Sequence, residues 1–233
     1  MAAKIVQRGF SPKDMIEFGE VWRERITAAA CDARYLINRG YDIGQAVTFT
    51  GNHFLLSERQ RTAIVRGIAT EEKLRIRREK EIRKPSGVVF IDGFNTIITL
   101  EVALSGSLLL LCDDGAIRDL AGLHGSYRIV DKTHIAIELL LNALGMLDIR
   151  EAVIYLDQPV SNSGRLKSLI GEMSGNREFA VTVELRPDVD KQLYSKPQVI
   201  SSDAIVLDEC GGWYNLNSRL IEENIPDAWI FAI

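Results

Sequence analysis

Aspartates stand at the ends of the apolar runs in the second half of this 233-residue chain: VVFI leads to Asp92, LLLLC to Asp113 and Asp114, VIYL to Asp157 and VISS to Asp203. Carboxylates brought within a few ångströms of one another repel unless a divalent cation sits between them, and hard oxygen ligands are what Mg²⁺ and Mn²⁺ prefer. A cation held there can acidify a water, orient a phosphodiester and stabilise a leaving oxygen. Each aspartate also suits the N-cap of a following helix. Both roles stay open for any one of them, and four in register favour a shared site. Softer metal chemistry has less support. Cys31, Cys112 and Cys210 are widely separated, and His53, His124 and His134 lack the spacing of zinc ligands.

Strand ends converge only if the strands lie side by side. After Pro85, Ser86 and Gly87 the composition changes, and short apolar runs alternate with helix-period segments, the pattern of an α/β fold with a largely parallel sheet. Strands are expected at Val88 to Ile91, Leu108 to Cys112, Ala152 to Leu156, Ala180 to Leu185 and Trp229 to Ile233. Helices are expected near Thr96 to Leu104, Ala116 to Leu123, Lys132 to Leu144, Gly164 to Met173 and Asn215 to Asn224. In open sheets of this class the ligand lies beyond the carboxyl ends of the strands, where these aspartates would gather.

The first 85 residues read as an all-helical module. Ser11 and Pro12 suit a helix start, and apolar residues from Met15 to Ile37 recur at three- and four-residue spacing in one long helix or two in tandem. Asp42 opens another helix, and Ser57 with Gln60 forms a capping box for a third. The run from Glu71 to Lys84 is so rich in charge that an exposed helix or interdomain strut is expected. Residues 1 to 84 carry 17 basic and 11 acidic side chains, a net +6, and the remainder carry 11 and 21, a net −10. A basic module beside an acidic one suits a polyanion held by one and a cation held by the other, although ordinary solvated surfaces explain the counts equally well. Arg59, Arg61 and Arg66 are the candidate phosphate-binding face. Arg165 and Lys167, beside the small-residue loop SNSG, are a second, because such a loop leads into a helix N-terminus that can receive phosphate.

The segment VVFIDGFNTI resembles the opening motif of NYN and PIN nuclease domains, a buried strand ending in Asp-Gly-aromatic-Asn. The resemblance implies a PIN-like, Rossmannoid α/β domain over residues 86–233, with Asp92 as a metal ligand and Asn95 as its positioning neighbour. It also implies an acid on a central helix, best matched by Asp131 with Glu138 as the weaker candidate, and a late strand–helix junction matched by Asp203. Asp157 matches an acidic strand end, and Asp113 is a further positioning candidate. The long SNSG loop and the CGGWYNL segment depart from the compact motifs of many PIN domains. Residues 36–67 resemble the helical module catalogued as domain of unknown function 434.

The expectation is a Mg²⁺- or Mn²⁺-dependent nuclease acting on RNA, with Asp92, Asp131, Asp157 and Asp203 at its centre. The alternative is a non-catalytic RNA- or ribosome-associated protein with a degenerate site. A TOPRIM-type phosphohydrolase ranks last, because its opening strand would end in glutamate. No run approaches the roughly 18 apolar residues of a membrane span, and Met1 to Phe10 lacks a secretory core, so the cytoplasm is expected. Monomer and homodimer both remain open.

Overall fold

A computed structural model describes residues 7–122 and 125–233. His124, the start of the Met1 to Phe10 segment and the end of the helix expected at Ala116 to Leu123 lie outside the described residues.

Four parallel strands form the main sheet in the order β5-β4-β1-β6, from β1 (Ser86–Asp92), β4 (Asp148–Asp157), β5 (Ala180–Arg186) and β6 (Val199–Ile200). Chain connection runs outward from β1 through β4 to β5, then returns past β1 to β6. The winding therefore reverses between β1 and β6, and that reversal leaves a crevice at the carboxyl ends of the two strands. Helices α6 (Gly93–Leu104), α7 (Asp131–Gly145), α8 (Ser163–Ser174) and α11 (Leu216–Asn224) cover one face through Ile97, Leu140, Leu166 and Ile221. The short helices α9 (Val189–Leu193) and α10 (Ala204–Glu209) cover the other, where Val189 and Leu207 pack with Val153 and Tyr155. Alternate residues of β1 serve the two faces, as a strand's period of two demands: Val89 and Ile91 on the first, Val88 and Phe90 on the second.

A second sheet, in the order β3-β2-β7, is built from β2 (Leu109–Leu111), β3 (Ile117–Asp119) and β7 (Ile230–Ala232). β2 and β3 are an antiparallel hairpin, so the helix expected at Ala116 to Leu123 is corrected to a strand. The Asp114-Gly115 pair is the missed signal: Gly115 turns the chain at φ +78°, a conformation open to glycine and typical of tight hairpins.

Five helices precede β1: α1 (Asp14–Glu17), α2 (Glu20–Ile37), α3 (Ile43–His53), α4 (Glu58–Gly67) and α5 (Glu71–Lys80). The first amphipathic stretch is two helices in tandem, broken at Phe18 and Gly19, and it starts at Asp14 rather than at Pro12. Asp42 caps α3, and Ser57 with Gln60 closes the expected capping box on α4. The apolar faces of α2, α3 and α4 do not close on themselves. Ile26, Ala29, Ala33 and Ile64 share one core with Leu108, Leu110 and Phe231 of the second sheet, whose opposite face gives Leu109 and Ile117 to the core around α6. The second sheet is thus the layer that joins the helical segment to the α/β half.

Ion pairs fasten the same junction. Arg34 makes a two-pronged contact with Asp113 at 2.8 and 2.7 Å, buried Arg77 bonds Asp114 and Asp208 at 2.7 Å each, and Lys73 reaches Asp208 at 2.6 Å. Part of the charge asymmetry between the two halves is consumed here. The CGGWYNL segment is buried structure too: Trp213 bridges to Glu81 and Val199, and its indole N–H donates to the Arg77 carbonyl at 2.7 Å.

Candidate active site at the sheet reversal

Asp92 is the last residue of β1 and the N-cap of α6, where its Oδ1 accepts the Asn95 N–H at 3.2 Å. Capping and site placement therefore coincide. The following turn is tight because Gly93 lies against β4: a Cβ there would meet Leu156 at 2.6 Å and the Tyr155 carbonyl oxygen at 2.9 Å. The glycine serves close packing, with no left-handed turn involved.

Register places the neighbours. Ile91 pairs with Ile200, so the strand end of β1 lies beside Ser201, and Asp203 follows two residues later. On the other flank Asp92 pairs with Tyr155, which sets Asp157 two residues on, at a Cα separation of roughly 8 Å from the spacing of strands and residues. Ser201 donates its hydroxyl to Asp92 Oδ2 at 3.0 Å and accepts the Asp203 N–H at 3.0 Å. Asn95 Oδ1 accepts both the N–H and the hydroxyl of Ser202, at 2.8 and 2.9 Å. Asp203 caps α10 through the N–H groups of Ile205 and Val206. The turns after β1 and β6 are thereby locked to each other by side chains.

Loss of water, then repulsion from Asp203 and Asp190, pushes the Asp92 carboxyl up to about 8, against the hydrogen bonds from Ser201 and Asn95. Asp190, on α9, is pushed up to about 6, first by desolvation of its carboxyl and then by Asp203, Asp157 and Asp188. Desolvation and Asp188 raise Asp157 as well. These aspartates form one electrostatic cluster around the crevice. The nearby cation Arg186, paired across the sheet with Asp157, is engaged by Glu184 instead.

Of the aspartates expected from strand ends, Asp92 and Asp203 are joined here through Ser201, Asp157 lies on the neighbouring strand two residues past the register of Asp92, and Asn95 bonds Ser202 in the turn that carries Asp203. Asp190 and the two serines were not foreseen. The signal for Asp190 is the run Arg-Pro-Asp-Val-Asp directly after the fourth strand, acidic at a strand end like the others.

Other expected residues lie elsewhere. Asp113 lies two residues past β2 of the second sheet and belongs to Arg34. Asp131 is exposed at the start of α7, where Lys132 holds its carboxyl below the usual range, and Glu138 is exposed further along the same helix. Neither has a bond to the cluster among the described residues. Arg59 clamps buried Asp14 at 2.5 and 2.7 Å, and Arg61 bonds the Leu56 and Thr48 carbonyls and Asn52, so both tie the helical segment together. Arg66 differs: it borders the crevice beside Asn95, Ser202 and Asp203. Arg165 and Lys167 are exposed on α8, whose preceding loop is held by Tyr127 through Ser161 and Asn162.

The chain matches the family described as "Domain of unknown function (DUF5616)" over residues 82–219, and that described as "Protein of unknown function (DUF434)" over residues 25–80. It is also similar to "Uncharacterized protein MJ0935" of Methanocaldococcus jannaschii, with 36% identity over 185 residues, 78% of this chain and 88% of the archaeal one. The protein therefore belongs to the DUF5616 family and carries a DUF434 segment ahead of that domain, as the resemblance of residues 36–67 implied. No solved structure matches the chain. Among the described residues no helix is long and apolar enough to cross a membrane.

Proposed function

We propose that this protein is a Mg²⁺- or Mn²⁺-dependent phosphodiesterase of the PIN or NYN kind that hydrolyses RNA. The observation carrying the proposal is Asp92: a carboxyl with 5% exposure, at the reversal of a parallel sheet, raised first by burial and then by its acidic neighbours. A buried acid in that setting calls for a counter-charge, and the ligand crevice of such sheets lies at that point.

The donor set suits a hard cation, since it consists of carboxylate oxygens. Among the described residues no three acidic, histidine or cysteine side chains converge on a single point. Mg²⁺ does not require that, because it is commonly held by one or two carboxylates with water and substrate phosphate completing the shell. Asp92 and Asp203 would hold it, and Asp190 adds negative charge beside both of them. When bound, the cation supplies charge stabilisation to the phosphoryl oxygens and a more acidic water.

The chain's own residues do the rest. Ser201 and Asn95 fix the orientation of Asp92 and of the turn carrying Asp203. Asp190, pushed up to about 6, can accept a proton at its carboxylate from the attacking water and release it near neutral pH. RNA rather than DNA rests on the resemblance of VVFIDGFNTI alone.

A labelled single-stranded RNA incubated with Mn²⁺, with Mg²⁺ or with chelator tests the reading. Cleavage that needs the metal and is lost in Asp92→Asn is the expected result. RNA binding without cleavage under any metal would favour the non-catalytic alternative.

A further inference from the structure

A groove between the helical segment and α10 is left unused by the carboxylate chemistry. A cavity of about 530 Å³ opens beside Arg66, Asn95 and Asp203, and a second of about 300 Å³ extends towards Tyr41 and Lys73. Ile43, Val65, Ala204 and Ile205 line both, so the two are one continuous trough leading from the candidate active site along the junction.

Its walls are mixed, with Asp119, Asp203 and Asp208 among apolar side chains that are open to water. Tyr41 is 57%, Val65 38% and Ile205 57% exposed. Arg118, Arg77 and Lys73 on its walls are held by Asp114 and Asp208, whereas the one side-chain hydrogen bond of Arg66 among the described residues is from Nη1 to the Asp119 carbonyl at 2.6 Å. The Asp119 carboxylate next to it is occupied, with Oδ1 accepting the Ala121 N–H and Oδ2 the Thr99 hydroxyl. Most of the guanidinium's five N–H donors thus remain for a ligand. A guanidinium beside exposed apolar side chains, in a trough opening onto a candidate phosphodiester-cleaving centre, matches a chain that alternates phosphate with flat apolar-faced bases.

We infer that this trough holds single-stranded nucleic acid, with Arg66 on a backbone phosphate, Val65 and Ile205 against bases beside the candidate active site and Tyr41 against a base further along. The inference takes its substrate class from the phosphodiesterase reading.

The test is fluorescence anisotropy of a labelled single-stranded RNA of twelve nucleotides, added to the full chain in chelator so that no cleavage intervenes. Arg66→Ala should weaken binding about tenfold and lower the slope of log affinity against log salt by about 0.7, the loss of one phosphate contact on a single strand. Val65→Glu and Ile205→Glu change exposed side chains, leave the fold's hydrogen bonds in place and should weaken binding about tenfold.

Wild-type binding that is absent, that uridine monophosphate displaces as effectively as the oligonucleotide does, or that all three trough variants retain would overturn the inference. Metal-dependent cleavage with trough variants that bind normally would sink the trough and spare the catalytic reading. Weakened trough variants without cleavage in any metal would do the reverse.

Discussion

The Ser201 hydroxyl donates to Asp92 Oδ2 at 3.0 Å while its oxygen accepts the Asp203 N–H at the same distance. One side chain thus joins the carboxyl ends of β1 and β6 at the reversal of the sheet. It also supports the ionised form of Asp92, which burial and acidic neighbours oppose. Removing it in Ser201→Ala should move the Asp92 titration further up, measurable from the carboxyl ¹³C shift against pH.

Stability should depend on pH through the same group. With Asp92 at about 8 in the folded chain and near 3.8 unfolded, the folded state holds a proton between about pH 4 and 8 that the unfolded state has released. Stability in chelator should therefore fall as pH rises through that window, by up to a few kcal/mol (~1.4 per pH unit at most), and level off above it. Asp92→Asn removes the titration, so urea unfolding of this variant should show a flatter profile and a higher midpoint at pH 8 than the wild type. An unchanged slope would place the Asp92 carboxyl in its ordinary range.

Divalent binding should release protons. A cation favours ionised Asp92, so association near pH 7 displaces the proton that the free site holds. Mn²⁺ affinity should rise from pH 6 to 8, and the calorimetric enthalpy at pH 7 should vary with the ionisation enthalpy of the buffer. Buffer-independent enthalpy would show that the bound ion is not neutralising Asp92.

Gly93→Ala should cost about 1–3 kcal/mol by overpacking, because the added methyl meets Leu156 at 2.6 Å and a backbone oxygen at 2.9 Å. Denaturant unfolding checks this. A neutral result would mean that β4 and α6 yield easily at the site.

Arg77 joins α5 to the α/β half through Asp114 and Asp208, and it is 4% exposed. Arg77→Ala leaves Asp114 to Arg118 alone and Asp208 to Lys73 alone, and should cost about 1.5–3 kcal/mol, the range of a lost hydrogen bond to a charged group. A loss that small surface pairs would give, below about 1 kcal/mol, would contradict the buried junction.

The alternation of short apolar runs and helix-period segments made β1, β4 and β5 of the main sheet legible, whereas β6, only two residues long, was not among the expected strands. Sequence could not say which strands are neighbours. Leu108 to Cys112 looks like any buried strand, yet it pairs in the second sheet, and Asp113 went with it to Arg34. Nor does a count of arginines reveal their partners. Arg59 and Arg61 look like part of a polyanion face until the buried Asp14 and the Leu56 carbonyl are seen to occupy them. Arg66 alone of the α4 arginines meets the crevice, which follows from α4 lying across the second sheet.

The most direct test of a cation-binding centre at Asp92 and Asp203 is calorimetric titration of Mn²⁺ into the wild type, Asp92→Asn and Asp203→Asn at pH 7.5. The account predicts saturable binding by the wild type and its loss in both variants with folding retained. Equal binding by all three proteins, or none by the wild type, would contradict it.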